Sequence, residues 1–172
     1  MQQLAVVYFP KNDVEDINSF REKYDLSFRV IPPHITLISP LTEVCVNELT
    51  EHVANVVKNI KRFSIRLNGL SVTNDNLLFL LVKEGNEEFF NLHDKLYSGM
   101  LASHIPTDFT FVPHITLGDF QTKTLEFYSS AYKEAESINF DIEDITDEVT
   151  IIEGDGVTPP SIVKKLSLSD VR

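Results

Sequence analysis

Two histidines, His34 and His114, stand eighty residues apart in nearly the same words: Pro33-His34-Ile35-Thr36-Leu37 and Pro113-His114-Ile115-Thr116-Leu117. Imidazole is the side chain whose ordinary pKa, about 6.5, leaves both protonation states accessible near neutral pH, so a pair can supply a base and an acid to one reaction. A threonine two residues further on adds a hydroxyl that can donate to an oxyanion. In an extended chain alternate side chains share a face. His34 and Thr36 therefore point one way while Ile35 and Leu37 seek the core, and the same holds for His114 and Thr116 against Ile115 and Leu117. Such a set suits in-line phosphodiester hydrolysis. One imidazole takes a proton from the attacking water, the other returns a proton to the departing ribose oxygen, and the two hydroxyls hold the nonbridging oxygens. The scheme requires no metal and no cofactor.

A single His-x-Thr would be read as an ordinary strand residue beside a β-branched one. Strand propensity accounts for the Pro, Ile, Thr and Leu of a repeated block, but it does not account for a polar histidine in both copies. The other three histidines carry no such pattern. His52 reads as solvated on the polar side of a helix, and His93 and His104 as lying outside any site. Cys45, the single cysteine, reads as a small buried hydrophobe. Metal binding is disfavoured, because there is no His-Glu-x-x-His and no cysteine pair. The acidic run Phe140 to Val149 lacks calcium-loop spacing and reads as the solvated face of an alternating strand. Tyr8, Phe9, Phe28, Phe111 and Phe120 lie close to the motifs in sequence and are expected mostly in the core.

The elements that must carry the motifs follow from periodicity. Leu4 to Phe9 is a continuous apolar run, a buried strand. Val14, Ile17, Phe20 or the stem of Arg21, and Tyr24 mark a helix capped by Asp13 and ending before Asp25. After the first Pro-entered strand, Leu49, Val53, Val56, Val57 and Ile60 fall on one face of a helix over 47–60. Phe63 to Thr73 alternates as a strand with a bulge at Asn68-Gly69, and Leu77 to Val82 is another buried strand. The order then restarts: a helix over 87–101, the second Pro-entered strand, a helix over 122–136, and one long or bulged strand from Ile138 to Ile152. Val163 to Leu168 is a last strand, placed at an edge. Strand, helix, motif strand, helix, strand occurs twice. This predicts one α+β domain over 1–172, duplicated as two pseudo-symmetric lobes of about 1–76 and 77–172, whose outward motif faces line one cleft.

Charge narrows the ligand. With 15 Lys and Arg against 26 Asp and Glu, the net charge of -11 repels long polyanions and leaves room for a small anion in one pocket. RNA is disfavoured on this ground. No apolar run nears the roughly 20 residues of a bilayer span, and the N-terminus has no secretory pattern, so a cytoplasmic location is expected.

Paired His-x-Thr-x motifs, at 34–37 and 114–117, in duplicated lobes resemble the two-histidine (2H) phosphoesterase superfamily, which includes the 2'-5' RNA ligase and cyclic phosphodiesterase family. The stretches "VVYFP" and "FREKYDLSFRVIPPHITL" are similar to the bacterial YjcG-like phosphoesterases. The resemblance implies a LigT-like fold: two lobes, each a mainly antiparallel sheet with helices on its outer face, flanking a central cleft. It implies His34 as proton donor, His114 as proton acceptor, and Thr36 and Thr116 on the phosphate of a small phosphodiester such as a 2',3'-cyclic nucleotide. The motif flanks carry few cations, Arg29 and Lys123 being nearest, and Arg29 is the candidate phosphate contact. The rival from another class is a module on the same fold that binds a nucleotide or phosphorylated metabolite without turnover.

Overall fold

The computed structural model describes residues 2–120 and 124–170, so Lys123 and Thr122 lie outside the described residues. The apolar N-terminal run forms β1 (Gln3–Tyr8), followed by α1 (Glu15–Tyr24), the first motif strand β2 (Ile35–Leu41) and α2 (Val46–Val57). Next come β3 (Phe63–Val72), β4 (Leu77–Glu84), α3 (Asn86–Leu96), a short 3-10 turn (Gly99–His104), and the second motif strand β5 (His114–Asp119). The chain closes with α4 (Leu125–Ile138), β6 (Asp141–Thr146), β7 (Glu148–Gly154) and β8 (Ser161–Ser167).

Most elements fall where periodicity places them, and the departures have local causes. Asp13 does not cap α1: its backbone is left-handed, with φ of 48°, and Val14 occupies the cap position without a side-chain bond. The helix expected over 87–101 stops at Leu96, and the chain tightens into the 3-10 turn after Gly99, whose φ is 57°. The bulge in β3 sits between Leu67 and Leu70, around Gly69 at φ 81°. The single strand expected from Ile138 to Ile152 is three pieces: the end of α4, then β6, then β7 after a break at Asp147. Cys45 is exposed at the start of α2 instead of buried.

The strands form two antiparallel four-stranded sheets, in the orders β2-β1-β7-β8 and β5-β4-β3-β6, with β8 at an edge. The chain is therefore not divided between sheets at residue 76. Strand β3 joins the second motif's sheet, and β7 and β8 return to the first. One apolar core spans both sheets. Leu4, Val6, Tyr8, Ile35 and Leu37 enter it from one, and Leu78, Leu80, Ile115 and Leu117 from the other, with Phe20, Leu49 and Phe89 between. Helix α1 packs beside β5 and α3 beside β2, so each motif strand is backed by the helix from the other half of the repeat. That exchange draws β2 and β5 into contact with each other.

Candidate active site

Alternation decides which way the motifs face. Ile35, Leu37, Ile115 and Leu117 are all within 1% of full burial, whereas His34, Thr36, His114 and Thr116 are partly open. Pairing is equivalent in the two sheets: Thr36 lies opposite Val7 on β1, and Thr116 opposite Phe79 on β4.

Both imidazoles are pinned in the same manner. Nδ1 of His34 lies 2.9 Å from the carbonyl oxygen of Pro32, and Nδ1 of His114 lies 2.6 Å from that of Val112. A carbonyl oxygen can only accept, so each Nδ1 carries a proton and donates it. Each neutral ring therefore keeps its lone pair on Nε2, free to take or pass a proton. Pro33 and Pro113 enforce the extended geometry of the residues before them, which sets those carbonyls in place. Burial holds both imidazoles below the ordinary 6.5. For His34 the charges of Arg21 and His114 push the same way, against the Pro32 carbonyl and Asp25. For His114 the Val112 carbonyl is the opposing influence.

A cavity of about 370 Å³ opens beside the motifs, bounded by His34, Thr36 and Thr116 at one end. Its floor is the outward face of the first sheet, where Ala5, Val7 and Ile152 form a small apolar cluster apart from the main core. Arg21, Asp25 and Ser27 complete the wall near His34, and Gly154, Gly156, Thr158 and Pro160 lie toward the β7–β8 loop. His114 is not part of this wall; its ring is stacked on Phe79, with centroids 3.5 Å apart and planes 20° from parallel. Phe9 leans on His34 at 6.2 Å. Arg29 is exposed and is not among the cavity's lining residues. Among the described residues, no group of three or more His, Cys, Asp or Glu side chains is placed to hold a metal ion. No helix among them is long and apolar enough to cross a membrane.

A family model described as the 2'-5' RNA ligase superfamily matches residues 9–158, a span that contains both motifs. The chain belongs to that superfamily, the two-histidine phosphoesterases. Relatives within it include proteins assigned, by inference, to the phosphoesterases. One from Geobacillus thermodenitrificans is 34% identical over 66% of this chain and 67% of its own, and one from Bacillus licheniformis is 32% identical over 66% and 68%. The superfamily fold is matched by solved structures. E. coli LigT in apo form aligns with a TM-score of 0.67 at 17% identity over 98% of both chains. A Thermus thermophilus protein aligns with a TM-score of 0.68 at 20% identity over 96% of this chain and 97% of its own.

Several residues around the motifs were not singled out by sequence. Phe79 was one of a run of apolar strand residues, and nothing local distinguishes it from Leu78 or Leu80. Arg21 did leave a signal, a cation on the apolar stripe of α1 between Ile17 and Tyr24. Of the other histidines, His52 is half-buried and bonded through Nε2 to the Leu96 carbonyl at 2.8 Å, not solvated. His93 is buried and stacked on Phe111, with centroids 4.0 Å apart. In the acidic run, Asp144 turns inward and accepts the backbone N–H of Lys11 at 2.6 Å. It lies near the Tyr8 hydroxyl, whose proton is held far above its ordinary range by burial first and by Asp144 second.

Proposed function

We propose that the chain hydrolyses a small phosphodiester, such as a 2',3'-cyclic nucleotide, by histidine acid-base catalysis without a metal. The observation that carries the reading is the matched pair of Nδ1-to-carbonyl bonds, which leaves an Nε2 free on each of two motif strands that touch. Water attacks phosphorus while Nε2 of His114 takes its proton. The bond to the departing ribose oxygen breaks as His34 gives that oxygen a proton, and the product is a phosphomonoester. Thr36 and Thr116 donate to nonbridging oxygens, where charge must be held through the displacement. The donor and acceptor roles follow the superfamily pattern.

In the free protein burial favours neutral rings. A bound phosphate supplies the anion that lets His34 hold its proton, since a nearby opposite charge raises the pKa of a base. Small substrates fit both the cavity and the net charge of -11, which disfavours RNA. E. coli LigT has been solved with 3'-AMP, NADP+, ATP and phosphate, which supports a nucleotide-sized ligand on this fold.

The test is turnover of a panel of 2',3'-cyclic nucleotides by wild type, His34→Ala and His114→Ala. Each substitution is expected to lower kcat by about 100-fold or more, the scale of general acid-base contributions. Wild-type rates no faster than both variants would sink the enzymatic reading. Nucleotide binding that persists in both variants, with no product from any, would identify the non-catalytic binding module.

A further inference from the structure

A duplication predicts like surroundings for its two motifs, and here the surroundings differ. The inward residues of α1 include Ile17, Phe20 and Arg21, and those of α3 include Phe89, Leu92 and His93. The shared i, i+3, i+4 spacing puts Arg21 where the other half has His93. His93 is satisfied by its stack on Phe111 and by Asp94, 3.1 Å from Nδ1. Arg21 is not. It is 1% exposed, its Nε and Nη2 both meet Asp25 at 2.7 Å, and Nη2 also donates to the Ile31 carbonyl at 2.9 Å. Nη1 is buried without a partner. Leaving a charged donor unpaired out of water is costlier than losing an average hydrogen bond.

The residue that carries the spare donor also lines the open space. Opposite Thr116, Phe79 stacks on the His114 ring; opposite Thr36, at the matching position, the smaller Val7 lines the cavity. Arg21, Asp25 and His34 share that cavity's wall. Asp25 is itself spent, because its second oxygen accepts the N–H of Ser27 at 2.9 Å.

We propose that Arg21 is the fixed cation of the site, its Nη1 donating to a nonbridging oxygen of the substrate phosphate from the first-lobe side. This rests on the phosphoester reading of the same cavity. Because Asp25 and the Ile31 carbonyl already lock the side chain through Nε and Nη2, little rotamer freedom remains to be lost when Nη1 binds. A chain of net charge -11 has particular need of one such local cation. The duplication is thereby broken: one histidine works beside a guanidinium and the other against an aromatic ring.

Inorganic phosphate is the probe. In 15N-labelled wild type, titrating phosphate is expected to move the Arg21 side-chain N–H signal together with the Thr36 and Thr116 amides; an Arg21 signal that stays still while those amides shift overturns the assignment. Two variants extend the test, Arg21→Lys and the double Arg21→Met with Asp25→Asn, the latter leaving no unpaired buried carboxylate. Once thermal unfolding shows either to be folded, phosphate affinity is expected to fall about tenfold or more, the scale of a lost charged hydrogen bond, with KM for a cyclic nucleotide rising more than kcat falls. Affinity within about twofold of wild type in a folded variant would also overturn it. Histidine-dependent turnover with unchanged phosphate affinity in these variants defeats the Arg21 assignment alone. Phosphate binding through Arg21 without turnover defeats the hydrolytic reading alone.

Discussion

At the scale of single residues, the site is a contest between burial and polar anchoring. Each imidazole gives one nitrogen to a carbonyl and keeps the other, and burial holds both rings neutral below the ordinary 6.5. The unfolded chain therefore binds protons that the folded chain refuses. Stability is fully present above about pH 6.5 and declines as pH falls through that value toward the folded pKa values. The thermal midpoint of wild type should drop between about pH 7.5 and 5 more steeply than that of His34→Asn with His114→Asn, whose amides keep a donor and do not titrate in that range. Parallel midpoint curves for the two proteins would rule the histidines out as the source.

At the scale of elements, the turns that aim the strands carry conformations few residues tolerate. Gly85, between β4 and α3, has φ of 82°, and a Cβ there would sit 2.5 Å from the Ser64 carbonyl oxygen and 2.8 Å from a methyl of Ile65. The backbone oxygen cannot move aside without disturbing β3. Gly85→Ala should therefore lose about 1–3 kcal/mol or more in urea unfolding, through left-handed strain joined to the clash. A loss under about 0.5 kcal/mol, the size of an ordinary surface change, would mean the loop relaxes freely. The pieces of α4, β6 and β7 teach a related point. No Gly, Pro or Asn stands between Asp141 and Ile152 to mark a turn at Asp147, so the sequence looks like one strand. The break exists because β6 finds its partner in β3 and β7 finds its partner in β1, on different sheets.

At the scale of the whole molecule, that crossing ties the two halves of the repeat together. Residues 1–76 contain β3, whose two neighbours β4 and β6 lie in the other half, and residues 77–172 contain β7, whose neighbour β1 lies in the first. Separately expressed fragments 1–76 and 77–172 should each lack a cooperative thermal transition and show poorly dispersed NMR spectra, because each leaves strands unpaired and the common core half-filled. A cooperative melt from either fragment alone would contradict this. The same tie explains how the motifs meet: each is carried by its own sheet and backed by the other half's helix, so closing the core also closes the site.

Much of this was legible in the amino-acid order. Repetition marked the two motifs, alternation set His34, Thr36, His114 and Thr116 outward, and helical spacing found α2. These are properties of the backbone's own periods, and they survive whatever surrounds them. How the strands are shared between the two sheets was not legible, because strand pairing between β1 and β7 joins residues more than a hundred positions apart, which no local pattern records. Cys45 looked apolar and lies exposed because it stands at the extended cap position before α2, off the buried face of Leu49, Val53 and Val57. Arg29 and Arg21 are both cations upstream of the first motif, and sequence proximity favoured the former; tertiary packing instead set Arg21 in the cavity wall and left one of its nitrogens unpaired. By itself the sequence determined which side chains would share a face and what chemistry they could do. Which space they face, and which cation stands in it, was decided only when two sheets and their exchanged helices packed around one core, because cavities and unpaired donors arise from contacts between distant segments.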